Sequence, residues 1–391
     1  MRLTFWLSLF VVFYTFMGYG ILLYIIIKLK RLIKGRRATV TPLNTLLPQC
    51  TLVVAAYNEE HFIAEKIKNC LELKYPPGKL KFLIITDGST DKTVEIVERY
   101  PQIRLLHEDT RAGKIAAVHR AMEFVDTEIV VFTDANTFLN PEAIINICRH
   151  YTDETVGAVA GEKRVQIDEN ADASAAGEGF YWKYESALKK WDSELYSVVG
   201  AAGELFSVRR SLYRDVEPDT VLDDFMISML IALQGYRIVY EPQAYALETA
   251  SENVTEELKR KIRIAAGGIQ SILRLKSLFI PFKYPILSFQ YISHRVLRWT
   301  VTPFLLVLVF VLNVLLAMRP GDTFFKVILV GEVFFYLLAL TGFIMEKRQI
   351  RIKVLFIPYY FCVMNYAVLM GIIRYFTKKQ SAMWEKAQRK Q

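Results

Sequence analysis

Residues 129–136 read Ile-Val-Val-Phe-Thr-Asp-Ala-Asn. An unbroken apolar run of this length predicts a strand buried on both faces, and the acid that ends it, Asp134, then lies at the carboxyl edge of that strand. Asp87 ends a second apolar run, residues 82–86. Open α/β sheets bind their ligands at this edge. Two such acids, in a chain with membrane-length apolar segments, suggest a nucleotide-and-metal site at a membrane surface.

The composition favours one soluble domain combined with several membrane spans. The chain has 391 residues, of which 53% are hydrophobic and 23% are charged. It is too apolar for one ordinary soluble domain and too charged for a pure membrane bundle. The four cysteines lack any Cys-x-x-Cys spacing, so we predict reduced core thiols rather than a zinc site or disulfides. The five histidines show no ligand spacing either.

The first 27 residues predict a transmembrane anchor. Residues 3–27 carry no charge, are long enough to span a bilayer and precede no signal-peptide cleavage pattern. A basic juxtamembrane linker, residues 28–47, follows them. Its charge fits anionic lipid and the positive-inside rule better than nucleic acid, so we expect the N-terminus outside and the next domain in the cytosol. The basic residues are Lys28, Lys30, Arg31, Lys34, Arg36 and Arg37.

Residues 48–270 predict an α/β domain with a mostly parallel, Rossmann-like sheet. Apolar strand runs alternate with helical patterns, which is typical of a parallel sheet covered on both faces. Later strands are expected to be mixed in direction. The predicted strands are residues 51–57, 82–86, 103–106, 129–133, 156–165, 205–208 and 238–240, with a first helix beginning near Glu59.

The remaining chain predicts membrane-associated helices. Residues 271–299 are apolar but interrupted by charges and prolines, which indicates interfacial helices. Three spans are expected within residues 300–376, at 300–318, 324–345 and 354–375. This count would leave the basic tail, residues 377–391, outside, against the positive-inside rule. Either that rule fails here or one segment is interfacial or re-entrant.

Three strand-to-helix junctions carry candidate nucleotide-binding residues. Asn58 and Glu59 end the first strand, and either cap a helix or line a pocket. Asp87 either belongs to a simple glycine turn or accepts hydrogen bonds from a base or ribose. Lys114 opens a helix whose N-terminus suits a diphosphate, although a solvated lysine is the alternative. The spacing of a P-loop is absent.

Two further pairs carry candidate metal-binding and catalytic groups. Asp134 and Asn136 offer hard oxygen ligands for Mg²⁺ or Mn²⁺, or else form an Asx turn. Asp223 and Asp224 precede a helical pattern, so they either cap it or supply a general base.

Taken in order, these elements resemble membrane-embedded family 2 glycosyltransferases, a group that includes poly-N-acetylglucosamine, chitooligosaccharide, hyaluronan and cellulose synthases. The resemblance runs from about residue 50 to 275 and includes the flanking spans. The motifs that carry it are Ala-Tyr-Asn-Glu-Glu (56–60), Asp-Gly-Ser-Thr-Asp (87–91), Gly-Lys (113–114), Asp-Ala-Asn (134–136), Gly-Ala-Ala-Gly-Glu (200–204) and Asp-Asp (223–224).

The resemblance implies a GT-A fold and inverting transfer from a nucleotide sugar. By the same resemblance, Asp224 is the catalytic base, and Asp134 and Asn136 hold Mg²⁺ or Mn²⁺. Residues 203–209 would line the acceptor side. The expected substrate-binding residues are Asn58, Glu59, Asp87, Lys114, Asp134, Gly203, Glu204, Asp223 and Arg263.

Two departures from the family pattern bear on metal affinity and product length. Asn136 stands where the family has Asp, which removes one charge. The family's Gln-x-x-Arg-Trp motif falls at residues 260–264, where Arg263 is kept but Ile264 replaces the tryptophan that stacks on sugar. Gly267 and Gly268, on the same helix, are expected to widen this space. An alternative aromatic platform is Tyr181, Trp182 and Tyr184.

We therefore expect an integral protein of a bacterial plasma membrane with a cytosolic catalytic domain and no nucleic-acid partner. The donor is expected to be a UDP-sugar, and the acceptor a lipid-linked or glycan molecule beside the membrane lipids. The alternatives are a processive polysaccharide synthase, a polyprenyl-phosphate glycosyltransferase and a nucleotide-binding membrane sensor. The acid pair at 223–224 and Arg263 argue against the sensor, since binding alone needs no base.

Overall fold

The computed structural model describes residues 1–35, 47–166, 173–249, 254–348, 350 and 353–378. These residues form two compact units. Within the described residues, the helical unit comprises 1–28, 173–188, 254–348, 350 and 353–378, and the sheet unit comprises 29–35, 47–166 and 189–249.

The sheet unit contains one mixed sheet of eight strands with the order β3-β2-β1-β4-β7-β6-β8-β5. Strands β1, β2, β3 and β4 are parallel neighbours, as are β6 and β8. Strand β7 runs antiparallel to both β4 and β6, and β5 runs antiparallel to β8. The strands are β1 (Cys50–Ala56), β2 (Leu80–Asp87), β3 (Arg104–Glu108), β4 (Ile129–Asp134), β5 (Thr137–Leu139), β6 (Val156–Gln166), β7 (Phe206–Arg209) and β8 (Arg237–Thr249).

The helices follow the predicted alternation with the strands in the first half of the sheet unit. In chain order they are α1 (Arg2–Phe13), α2 (Tyr19–Lys34), α3 (Ile63–Leu71), α4 (Thr93–Glu98), α5 (Lys114–Glu123), α6 (Ala143–Cys148), α7 (Ala173–Leu195), α8 (Asp223–Leu233), α9 (Val254–Arg274), α10 (Pro285–Tyr291), α11 (Leu297–Trp299), α12 (Val301–Ala317), α13 (Thr323–Lys347) and α14 (Lys353–Phe376). One correction concerns α3, which begins at Ile63 and not near Glu59, because residues 59–62 form a turn.

The core of the sheet unit lies between β1, β2 and β4 and the helices α3 and α6. Every residue of β1 is buried, as expected for a central parallel strand covered on both faces. Cys50, Cys70 and Cys148 are buried free thiols in this core, and Cys362 is a half-buried free thiol. The prediction that the cysteines are core residues holds for Cys50, Cys70 and Cys148.

Among the residues that the structure describes, three helices are long and apolar enough to cross a membrane: Arg2–Ile33, Thr323–Lys347 and Val354–Phe376. Residues 300–318, predicted as a further span, instead contain the 17-residue helix α12. Helix α12 continues residues 285–299 with a bend of 56°. The bend falls at Thr300, three residues before Pro303, whose ring lacks an N–H and clashes with the preceding turn of a continuous helix. The pair is therefore either one broken span or a re-entrant loop.

Helix α9 belongs to the helical unit, although the sequence prediction assigned its residues to the soluble domain up to position 270. It packs closely on α14, where a Cβ added to Gly371 would lie 2.5 Å from the Cβ of Ala265. The expected open space at Gly268 is wrong, because the indole of Trp299 fills it: an added Cβ would lie 2.5 Å from Trp299 Cε3. Tyr184 donates to the carbonyl of Phe16 at 2.7 Å. The side chains of Tyr181 and Trp182 lie outside the described part of the chain.

Candidate active site

Two adjoining pockets lie at the carboxyl ends of β1, β2 and β4, and they share Ala55 and Lys114. In the sheet register Ala55 is paired with Asp134, so the end of β1 and the acid that ends β4 meet at this edge. Five of the predicted site residues line the pockets: Asp87, Lys114, Asp134, Gly203 and Asp223. The expectation that strand-end acids converge at one edge is met by this geometry.

Asp87 holds the loop that precedes α5. Its buried carboxylate accepts hydrogen bonds from the backbone N–H of Gly113 at 2.6 Å and of Ala112 at 3.1 Å. Arg120 lies 3.5 Å from the same carboxylate. Asp87 therefore lines its pocket and also holds the loop that forms one wall of that pocket. The sequence motif did not reveal this positioning role.

Gly88 permits the close approach of that loop. Its φ is +67°, and a Cβ at this position would lie 2.7 Å from the Cβ of Arg111. The guanidinium of Arg111 in turn stacks over the ring of Tyr57 at 3.9 Å. The stacked pair borders the same pocket as Asp87. A planar cation on an aromatic ring gives this pocket a flat, positively charged wall.

We expect Gly88→Ala to displace the loop and weaken nucleoside diphosphate binding. A left-handed alanine costs about 1–2 kcal/mol, and the overlap with Arg111 adds to that. Gly78→Ala is the matched control, because Gly78 has a φ of +75° but open space around its Cβ position. Calorimetric titration with UDP and thermal unfolding of both variants separate the two effects. Equal binding losses in both variants would refute the role of the Gly88–Arg111 contact.

Asn58 and Glu59 form a turn that connects the ends of β1 and β2. Asn58 has a φ of +53°, and its side-chain oxygen accepts from the N–H of Thr90 at 2.8 Å. The N–H of Glu59 donates to Thr93 Oγ1 at 2.8 Å, and Glu59 is buried. Asn58 therefore caps the β2 loop rather than α3. Neither residue lines the two pockets, so their predicted contact with substrate stays a prediction.

Lys114 lies among acids at the centre of the site. Its Nζ lies 2.9 Å from Asp134 Oδ1 and 3.6 Å from Asp223 Oδ2. Burial works to lower the pKa of Lys114, but the charges of Asp134, Asp223 and Asp224 outweigh it and raise that pKa above its ordinary value. The side chain is therefore a fixed ammonium at the centre of the site.

Asp224 lies in the first turn of α8, where its Oδ1 accepts from the N–H of Phe225 at 2.8 Å. Burial and the neighbouring charge of Asp223 raise the pKa of Asp224 to about 7, while Lys114 acts in the opposite direction. Because residue 203 is a glycine, there is space beside the carboxyl of Asp224: a Cβ added to Gly203 would lie 3.3 Å from Asp224 Oδ2. A carboxyl with a pKa in this range is suited to accept a proton at neutral pH.

Glu204, predicted to bind substrate, is engaged by a buried lysine. Lys163 Nζ donates to Glu204 Oε1 at 2.6 Å and also pairs with Glu248. The backbone carbonyl of Glu204 accepts from Thr133 Oγ1 at 2.9 Å. This network anchors residues 203–204 beside the end of β4. The sequence did not indicate it, because its three charged members come from separate parts of the chain.

Asp134 and Asn136 present hard oxygen atoms at the turn after β4. The side-chain oxygen of Asn136 is buried and has no hydrogen-bond partner among the described residues. Within that part of the chain no three His, Cys, Asp or Glu side chains form a metal-binding group. Mg²⁺ and Mn²⁺ are commonly held by one or two protein oxygens together with phosphates and water, so this donor pair fits such a cation.

Lys66, which the sequence analysis did not single out, lies behind the end of β4 next to the site. It is fully buried on α3, and its Nζ donates to the carbonyl of Thr137 at 2.6 Å and to Thr133 Oγ1 at 3.1 Å. Burial lowers the pKa of Lys66 to about 8. A signal was present: Lys66 shares the core-facing stripe of α3 with Ile63, Ile67 and Cys70, where a lysine is unusual.

Comparison with known proteins identifies the domain that contains Asp87, Lys114, Asp134 and Gly203, whereas Asp223 and Asp224 lie just beyond the matched residues. Residues 51–217 match the family model of glycosyl transferase family 2. The chain carries a family 2 glycosyltransferase domain. This confirms the resemblance drawn from the strand-end motifs. Arg263, which the same resemblance singled out, lies outside the matched range and within the helical unit.

Two curated relatives are similar to part of this chain. The chain is 28% identical over 234 residues to poly-β-1,6-N-acetyl-D-glucosamine synthase of Staphylococcus aureus (strain COL), covering 57% of this chain and 55% of the relative. The corresponding protein of Staphylococcus epidermidis is 25% identical over the same length. The chain spans about half the length of the curated relatives it matches.

The solved structure of mannosyltransferase PcManGT from Pyrobaculum calidifontis, in complex with GDP-Man and Mn²⁺, superposes with a TM-score of 0.71. The match covers 96% of this chain and 99% of that one at 24% identity. The predicted GT-A fold with additional apolar helices is thereby confirmed.

Proposed function

We propose that the chain is a membrane-anchored inverting glycosyltransferase that moves a sugar from a nucleoside diphosphate donor to a lipid-linked or glycan acceptor. The observation that carries the proposal is Asp224, a carboxyl with a pKa raised to about 7 beside a pocket that holds a fixed ammonium. A site that only bound nucleotide would need no such base. The nucleotide-sensor alternative is therefore disfavoured.

In the proposed reaction, Asp224 accepts the proton of the acceptor hydroxyl as its oxygen attacks the anomeric carbon. The bond from that carbon to the donor diphosphate breaks, and the electron pair leaves with the diphosphate. Attack opposite the leaving group inverts the anomeric configuration. Lys114 offers its ammonium to the developing negative charge, which is stabilised best by a pre-positioned cation. Mg²⁺ or Mn²⁺, held by Asp134 and Asn136, would supply further charge neutralisation at the diphosphate.

For the donor we propose a UDP-sugar. The structural relative was solved with GDP-Man and Mn²⁺, so GDP-sugars are the natural competing class. The pocket lined by Tyr57, Asp87 and Arg111 supports binding of a nucleotide because it joins a flat aromatic–guanidinium wall to a carboxylate. A panel of UDP- and GDP-sugars, assayed for release of nucleoside diphosphate, distinguishes the two classes.

For the membrane topology we propose a cytosolic catalytic domain in a bacterial plasma membrane, in contact with anionic lipid. If the bent pair 285–317 is re-entrant, one span before the domain and two after it return the basic tail to the cytosolic side. This arrangement removes the conflict between the span count and the tail charge. A protease-accessible tag after Gln391 found outside the cell would contradict it.

For the product we propose transfer of one or a few sugars rather than a long polymer. Ile264 stands where the family has a tryptophan that stacks on sugar. The hydroxyl of Tyr184, an alternative aromatic residue, donates a hydrogen bond to the backbone carbonyl of Phe16. Processive synthesis is the second candidate, because the curated relatives are named as polysaccharide synthases. A polyprenyl-phosphate acceptor is the simplest version of the first candidate.

Labelled sugar supplied to the purified protein in lipid decides between these products. We expect organic-extractable label, with its amount limited by the lipid acceptor. High-molecular-weight, glycosidase-sensitive product would establish the processive alternative. Absence of label in either fraction across the donor panel would refute the enzyme assignment itself.

A further inference from the structure

A lysine in the core of the sheet unit is fully buried without an ion pair to any described residue. Lys66 is 0% exposed on α3, between the helix and the sheet. Among the described residues no carboxylate forms an ion pair with it, and its contacts are a carbonyl and a hydroxyl. Burying an ammonium costs several kcal/mol, and an apolar side chain of similar length would pack here without that cost. The position therefore calls for a role beyond packing.

The contacts of Lys66 bracket the turn that carries the metal-binding pair. Thr133 precedes Asp134, and Thr137 follows Asn136, so the ammonium is bonded to both ends of residues 134–136. The two threonine hydroxyls lie 3.0 Å apart, and Thr137 Oγ1 donates to the carbonyl of Asp134 at 3.0 Å. Lys66 and the threonine pair form one hydrogen-bonded network beneath the turn.

From this geometry we propose that Lys66 is a positioning residue for the cation site. Through Thr133 and Thr137 it holds the 134–136 turn in the conformation that presents Asp134 and Asn136 to a divalent cation. Its role is distinct from that of Lys114, which contacts Asp134 directly from the pocket side. The charge of Asp134 also acts on Lys66 through space. Because Asn136 contributes no charge, the affinity of this site depends more on geometry than that of a two-carboxylate site.

The inference rests on the proposed function and is tested by cation binding, not by turnover. Mn²⁺ is titrated into the full-length protein in detergent or nanodiscs, with UDP present, and bound Mn²⁺ is measured by electron paramagnetic resonance. Lys66→Met keeps the length of the side chain and removes its charge. Residues that orient metal ligands typically contribute 10–100-fold in metal affinity, so we expect the dissociation constant of Mn²⁺ to rise by about 10–100-fold.

Lys68→Met is the matched control, because Lys68 is exposed on the same helix. The same substitution at Lys68 leaves the network intact, so the Mn²⁺ affinity of this variant should equal that of the wild type. Thr133→Val is a second variant that keeps the side-chain volume and the buried lysine but removes the hydroxyl contact. It should also weaken Mn²⁺ binding, and combining it with Lys66→Met should add little, because both act on one network.

The outcomes separate the two proposals. If the wild type binds Mn²⁺ with UDP and both network variants bind it equally well, the positioning role of Lys66 is wrong while the proposed function stands. If the wild type binds neither Mn²⁺ nor UDP, the cation site and the proposed function both fail. Should Lys66→Met not fold, normal Mn²⁺ affinity in Thr133→Val overturns the inference, and weakened affinity supports it.

Discussion

Replacing Asp224 with asparagine is expected to reduce turnover by about 10²–10⁴-fold, the usual contribution of a general base. Asparagine keeps the size and a hydrogen-bonding oxygen but cannot take a proton. Nucleoside diphosphate should still bind, because Lys114 keeps its contacts to Asp134 and Asp223. Single-turnover kinetics and UDP titration measure the two effects separately.

The same assignment predicts the pH dependence of the wild type. Since burial and Asp223 raise the pKa of Asp224 to about 7, the carboxyl is protonated and inactive below that pH. The rate should therefore rise as the pH increases through about 7, and this rise should be lost from the residual activity of Asp224→Asn. Asp223→Asn is the matched control: it removes a carboxylate 3.6 Å from Lys114 and should change donor binding more than turnover. Near-normal turnover in Asp224→Asn would exclude it as the base.

Replacing Asp134 with alanine is expected to abolish cation-dependent donor binding and bring activity to background. The substitution removes the charged member of the proposed metal-binding pair, which is also the carboxylate 2.9 Å from Lys114. Chelation of the wild type should have the same effect, with recovery on addition of Mn²⁺ or Mg²⁺. The readouts are UDP affinity with and without cation and the rate of sugar transfer.

Asp126→Ala serves as the control for Asp134, since Asp126 forms an ion pair with Lys81 at an exposed position. Such surface pairs contribute little to stability, so this variant should bind donor normally. A wild-type enzyme that retains full activity in chelator would contradict the cation proposal without touching the base assignment.

The acids at the strand ends are the part of the site that could be predicted from sequence. An acid that ends a buried apolar run has a defined place at the sheet edge, which is why Asp87 and Asp134 were found. The sequence predicted only that the later strands would be mixed in direction. It did not predict that β7 lies antiparallel between β4 and β6. Strand order depends on tertiary pairing, which a local apolar pattern does not encode.

Other parts of the site depend on partners that sequence does not reveal. Glu204 was predicted to meet substrate, yet its carboxylate pairs with Lys163, which lies 41 residues away in the chain. Lys66 was missed because a lysine at a buried helical position is recognised only when its neighbours are known. The sequence analysis placed the boundary between the interfacial helices and the next span at residue 300, where the bend lies, but it did not predict that the helices on either side could form one broken span. In each case a long-range contact or a local backbone break outweighed the residue pattern.

The most direct test of the account is release of nucleoside diphosphate by the purified full-length protein, measured over time with nucleotide sugar, Mn²⁺ and lipid acceptor. The account predicts continuous release by the wild type and release near background by Asp224→Asn under identical conditions. Equal release by the two proteins, or no release from any UDP- or GDP-sugar, would contradict it.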